Sequence, residues 1–137
     1  MDVRVYLSRI LIQDTSDQQF IYLRERDGER EFPIVIGDAE ALAIDRRLKG
    51  LKRPRPMTHD LMAELITRLH GELEKIVIHD LKDGTFYAKL VIRVSGEVVE
   101  VDSRPSDAIA LGVASEPQTP IFVSDSVLRE VLEASGG

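Results

Sequence analysis

The stretch Asp102-Ser103-Arg104-Pro105-Ser106-Asp107-Ala108-Ile109-Ala110-Leu111 decides the fold. It follows a strand-like segment, Glu97 to Val101, and passes directly into a helix. Proline costs nothing in a first helical turn, because that N–H has no intrahelical partner. The helix therefore takes in Pro105 and runs to about Ala114. Shifted back by 67 residues, Asp107-Ala108-Ile109-Ala110-Leu111 falls on Glu40-Ala41-Leu42-Ala43-Ile44. The same shift lays the sixth strand on the third and the last helix on the second. This pattern predicts an internal duplication of a strand-strand-strand-helix-helix unit.

The remaining elements follow from periodicity and turn chemistry. Val3, Val5 and Leu7 alternate, and Ile10 and Ile12 alternate on the other parity. One long strand with a bulge near Ser8 and Arg9 explains both. Phe20 to Arg24 and Glu31 to Ile36 form a hairpin about Asp27-Gly28. Gly37 ends that third strand, and Asp38 is expected to cap a helix to about Lys49. Thr58 is expected to cap a second helix, with Leu61, Met62, Leu65, Ile66 and Leu69 as its apolar stripe. Strands at Leu73 to Leu81, Thr85 to Val94 and Glu97 to Val101 turn at Asp83-Gly84 and Ser95-Gly96. After the Pro105 helix come a short strand, Pro120 to Ser124, and a last helix capped by Ser124 or Asp125. The fold class is α+β, a mixed, mostly antiparallel sheet with about four helices. Residues 1–134 read as a single domain and residues 135–137 as a disordered tail.

Composition narrows the function. At 137 residues the chain can bury roughly two-thirds of its unfolded surface. It has no cysteine, which excludes disulfides, thiolate catalysis and cysteine-based zinc sites. No apolar run approaches the roughly 18 residues that span a bilayer, so no membrane role and a cytoplasmic location are expected. The net charge of −6 argues against a generic nucleic-acid coat. Yet residues 46–55 hold Arg46, Arg47, Lys49, Lys52, Arg53 and Arg55 with no acid, leaving −12 on the remainder. Such a patch can steer a phosphate-bearing ligand, or can simply suit a helix C-terminus. There is no Walker loop, dinucleotide fingerprint, serine elbow or zincin motif.

Three clusters can carry chemistry. If the halves correspond, Glu40 and Asp107 are equivalent acids in first helical turns, and the pair could hold a divalent cation. Helix-dipole stabilisation of about 0.3–1 kcal/mol each explains either one without any function. Asp102, Ser103, Arg104 and Ser106 surround Asp107 at a strand-to-helix turn, a favoured anion site to which arginine can add a bidentate phosphate contact. His59 beside Asp60 can serve as a general base or metal ligand, or be an exposed first-turn residue. Lys82 could reach a phosphate from a hairpin. Phe86 and Tyr87 point to opposite faces of a strand, one for the core and one free to stack on a base.

Four segments then carry a resemblance: Pro33-Ile34-Val35-Ile36-Gly37 leading to Glu40-Ala41; Arg55-Pro56-Met57-Thr58-His59-Asp60-Leu61; Asp83-Gly84-Thr85-Phe86-Tyr87-Ala88; and Asp102-Ser103-Arg104-Pro105-Ser106-Asp107-Ala108. In this order they resemble the bifunctional nuclease domain, a family formerly of unknown function, from about Val3 to Leu128. The resemblance implies a mixed α+β domain, often a homodimer, related to plant nucleases that act on RNA and DNA. The expected activity is hydrolysis of phosphodiesters, assisted by Mg²⁺ or Mn²⁺ and no organic cofactor. Catalysis would fall to Glu40, His59, Asp60, Asp102 and Asp107, with Glu40, Asp102 and Asp107 as candidate metal ligands. Substrate phosphates would meet Arg53, Arg55, Lys82, Ser103 and Arg104. The alternative is a non-catalytic module that binds nucleic acid, an anion or a protein.

Overall fold

The structure, a computed structural model, describes residues 1–15, 17–51 and 54–136, with side chains as far as 133. Eleven elements follow one another among the described residues: β1 (Asp2–Leu11), β2 (Gln19–Glu25), β3 (Glu31–Ile36), α1 (Asp38–Leu48), α2 (Thr58–Arg68), β4 (Gly71–Lys82), β5 (Thr85–Val94), β6 (Glu97–Ser103), α3 (Pro105–Ala114), β7 (Ile121–Ser124) and α4 (Asp125–Gly136). This is the α+β class the sequence implies. Adding 67 to the bounds of α1 gives 105–115, against Pro105–Ala114 for α3. The same offset carries β1, β2, β3 and α2 onto β4, β5, β6 and α4 to within four residues at most ends.

All seven strands form one mixed sheet in the order β3-β2-β1-β7-β4-β5-β6. Each half supplies an antiparallel meander, and β7 joins the two, antiparallel to β1 and parallel to β4. The break in symmetry has a steric cause. Only one strand fits between β1 and β4, and β7 takes the place. Its counterpart at 54–57, Pro54-Arg55-Pro56-Met57, is left outside the sheet. Two prolines there would also remove ladder donors from a central strand.

The sheet curls strongly. Phe32 of β3 and Phe86 of β5 have ring centroids 5.8 Å apart. Five strand steps of about 4.8 Å would separate them by about 24 Å in a flat sheet. The curl encloses one core that draws on both halves, with Ile21, Leu23, Phe32 and Ile44 from the first and Ile76, Ile109, Leu111 and Leu128 from the second. It also brings the ends of the two edge strands, β3 and β6, close together. Helix α3 lies deepest: apart from Asp107, its residues are buried. Its small residues Ala108, Ala110 and Gly112 permit that close packing.

Several local expectations hold. The β1 register shifts between Leu7 and Arg9, at the expected bulge. Asp83 and Gly84 both have positive φ, as do Ser95 and Gly96, the conformation a two-residue hairpin turn requires. The Ser124 hydroxyl accepts from the Val127 N–H and caps α4. Others need correction. Gly37 rather than Asp38 is the N-cap of α1, and the Asp38 carboxylate accepts from Gln19 Nε2 at 2.8 Å. Met57 rather than Thr58 is the N-cap of α2, and its N–H donates to Asp60 Oδ2 at 3.1 Å. The stripe of α2 divides: Met62 and Ile66 pack on the core, whereas Leu61, Leu65 and Leu69 are exposed. Helix α4 continues to Gly136 rather than ending at about Ala134, and of the expected tail Gly137 lies outside the described residues.

Candidate functional site

Two edge strands each feed a helix, and the two junctions meet. Gly37 caps α1, which makes Glu40 its third residue; Arg104 caps α3, which makes Asp107 its third residue. The Arg104 guanidinium lies between them. Its Nη2 is 2.9 Å from Glu40 Oε1 and 2.8 Å from Asp107 Oδ2, and its Nε donates to Asp107 Oδ2 at 2.9 Å. The other Asp107 oxygen, Oδ1, is 3.1 Å from His59 Nε2 on the first turn of α2. Four side chains from three helix starts thus form one connected chain: Glu40, Arg104, Asp107, His59.

They border an open cleft of about 600 Å³ that Asp102, Ser103, Thr58 and Met62 also line. The Glu40 side chain is only 10% exposed and that of Arg104 is 68% exposed. A buried carboxylate is thus neutralised by an arginine that still reaches solvent. Burial pushes the Asp107 carboxyl up, but hydrogen bonds from His59 and Arg104, with their charge, more than offset this and leave it below its ordinary value. The Asp107 hydrogen bonds, with the nearby Glu40 charge, raise the Arg104 guanidinium further. Asp107 is therefore ionised at neutral pH and can only accept. His59 Nε2 then carries the proton, and Nδ1 is the nitrogen able to take one up.

Of the residues singled out from sequence, Glu40, His59, Asp102, Ser103, Arg104 and Asp107 line this cleft. Asp60 does not: it caps α2 and lies 3.8 Å from Arg47 Nη1, so the carboxylate partner of His59 is Asp107 and not its sequence neighbour. The Ser103 hydroxyl donates to the Arg104 carbonyl at 2.9 Å. Lys82 stands at the β4–β5 hairpin with Asp80 at 3.4 Å and lies outside the cleft lining. Arg55 is exposed on the loop before α2 and lies outside it too. Arg53 lies outside the described residues. Phe86 joins the core against Phe32, whereas Tyr87 is 39% exposed with Lys82 over its ring.

The donor set does not match a metal centre as it stands. Among the described residues no group of three or more histidine or acidic side chains is arranged to hold an ion. Between Glu40 and Asp107, where a cation was expected, the guanidinium of Arg104 sits instead. The guanidinium of Arg104 faces two carboxylates, Glu40 and Asp107, and Asp102 lines the same cleft.

Sequence reasoning missed a second cavity. On the other side of His59 a groove of about 500 Å³ runs between α1, α2, α3 and the loop that includes Leu51 and Pro56. Its apolar residues come from α1, α3 and the loop before α2, and nothing in their spacing along the chain marks them as a wall.

The resemblance carried by the motif order agrees with a comparison against protein families. A family model described as "Bifunctional nuclease domain" matches residues 21–135. The chain belongs to the bifunctional nuclease domain family. Two uncharacterized proteins of Mycobacterium tuberculosis, from strains CDC 1551 / Oshkosh and ATCC 25618 / H37Rv, are each 40% identical over 121 residues, covering 88% of this chain and 71% of theirs. A rice protein named bifunctional nuclease 1, from Oryza sativa subsp. indica, is 24% identical over 117 residues, covering 82% of this chain and 35% of its own. The bifunctional nuclease domain of this chain thus spans about a third of that plant relative. Among the described residues no helix is long and apolar enough to cross a membrane.

Proposed function

We propose that this bifunctional nuclease domain hydrolyses phosphodiesters of RNA or DNA in the cleft at His59, Asp107 and Arg104. The supporting observation is the continuous chain from Glu40 through Arg104 and Asp107 to His59 on one accessible surface. Arg104 is the phosphate ligand in this reading: it is fixed by two acids yet mostly exposed. Asp107 orients His59, whose Nδ1 takes a proton from the attacking hydroxyl or water. Glu40 and Asp102 shape the field around the phosphate.

Mg²⁺ or Mn²⁺ belongs to the proposal as a helper that would neutralise charge on the phosphate. An ion bound by Glu40 and Asp107 would have to take the place of Arg104. A second reading is a binding module without turnover. It draws support from the same arginine, whose guanidinium is held in place by two acids and still 68% exposed to an incoming anion. We further propose a homodimer, for which the exposed Leu61 and Leu65 on α2 and Leu69 at its C-cap offer a surface. A cytoplasmic location is proposed on the absence of cysteine.

The test incubates purified protein with labelled single-stranded RNA and DNA, with Mg²⁺, Mn²⁺ or chelator. Cleavage by the wild type that Asp107→Ala abolishes supports the nuclease reading. Equal cleavage by both proteins marks a contaminant. Binding without cleavage, weakening steeply with salt, supports the second reading.

A further inference from the structure

We infer that the groove on the far side of His59 is a nucleobase site; this rests on the phosphodiester reading of the adjoining cleft and names its substrate as single-stranded. Ala39 and His59 line both cavities, so the groove begins where the phosphate cleft ends. Its volume, about 500 Å³, lies within the range of small-molecule sites. Its walls are largely apolar, with Ala43 and Ala110 from two packed helices and Pro56 from the loop, beside the polar Arg46, Arg47, His59 and Asp60. Leu42, Leu51 and Met57 remain 47%, 58% and 49% exposed, an apolar surface left open among the described residues.

Charge completes the match. Arg46 lines the groove, is half-buried, and has no ion-pair partner among the described residues. Arg47, its neighbour, is held by Asp60, Glu116 and the Ala114 carbonyl. The ligand that fits has an apolar planar body for the groove and an anion at each side, one for Arg104 and one for Arg46. A nucleotide within a strand has that constitution, with its base in the groove and its two flanking phosphates on the arginines. A paired base cannot enter, because its faces are stacked within the duplex.

The test reads binding with cleavage switched off. Fluorescent thymidine pentanucleotide and an all-abasic pentanucleotide are titrated in chelator at low salt, by anisotropy, against wild type, Ala43→Phe and Arg46→Gln. The wild type is expected to bind the base-bearing strand at least tenfold more tightly than the abasic one. Ala43→Phe, which fills the groove, is expected to erase that preference, and Arg46→Gln to weaken binding of both strands. Should Ala43→Phe fail to fold, Leu51→Asp at an exposed position is expected to erase the preference in its place. Equal wild-type affinity for the two strands overturns the inference, as does a preference that survives groove filling. Base preference without any cleavage would sink the nuclease reading and leave this one standing. Cleavage without base preference would do the reverse.

Discussion

Glu40 and Asp107 stand 67 residues apart at the same third position of two corresponding helices, and one guanidinium, Arg104, binds both. The corresponding residue in the first half is Gly37, where an added Cβ would lie 3.1 Å from Glu40 Oε2. The two junctions are complementary. One has no side chain at its cap, and a glutamate folds back over it; the other carries an arginine long enough to serve both acids.

Removing that arginine should expose the cost of burying Glu40. Arg104→Gln is expected to lower stability by about 1–2 kcal/mol, discounted because the guanidinium is mostly exposed. Adding Glu40→Gln should recover about half of the loss, since no charge is then left without a partner. Urea denaturation of the two single variants and the double variant checks this; strictly additive effects would show that the pair does not couple.

Stability should fall on acidification partly through Asp107. Its carboxyl lies below the ordinary value of 3.8 in the folded protein. A depressed carboxyl contributes stability that is present above the unfolded value and is lost as pH falls through the folded one. Below about pH 4 the wild type should therefore lose stability more steeply than Asp107→Asn. Thermal melts between about pH 5 and pH 2 give the two slopes, and equal slopes would remove Asp107 from the explanation.

Arg104 and a divalent cation should compete. If Mn²⁺ uses Glu40 and Asp107, Arg104→Gln is expected to bind it several-fold more tightly than the wild type. Electron paramagnetic resonance of free Mn²⁺ reports the difference. Weaker binding by the variant would mean that the ion sits elsewhere.

The close seat of α3 has its own test. A Cβ at Gly112 would come within 2.6 Å of Ile76 Cδ1, which belongs to a fully buried side chain. Gly112→Ala is therefore expected to cost about 1–3 kcal/mol despite its better helix propensity. A gain in melting temperature would show that the core repacks freely there.

Much of this arrangement was legible along the chain. Local chemistry fixed the bulge near Ser8, both positive-φ hairpins and the Pro105 helix start. The 67-residue offset paired Glu40 with Asp107. What the chain could not show was distance. The proximity of the two junctions comes from the curl that places Phe32 on Phe86, a property of the whole sheet. The link between His59 and Asp107, 48 positions apart, depends on it as well. Adjacency in sequence misled for Asp60, whose carboxylate turns back to its own helix cap. The exposed leucines of α2 looked like core because a helical stripe does not say where the covering layer ends.

The decisive measurement is the hydrolysis rate of labelled single-stranded RNA and DNA by wild type, His59→Gln, Asp107→Asn and the distant control Lys82→Gln, all confirmed folded. Loss of a positioned proton-transfer group typically costs about 10²–10⁴ in rate. The cleft predicts losses of that order for His59→Gln and Asp107→Asn, with Lys82→Gln near wild type. Rates that are the same in all four proteins would contradict it.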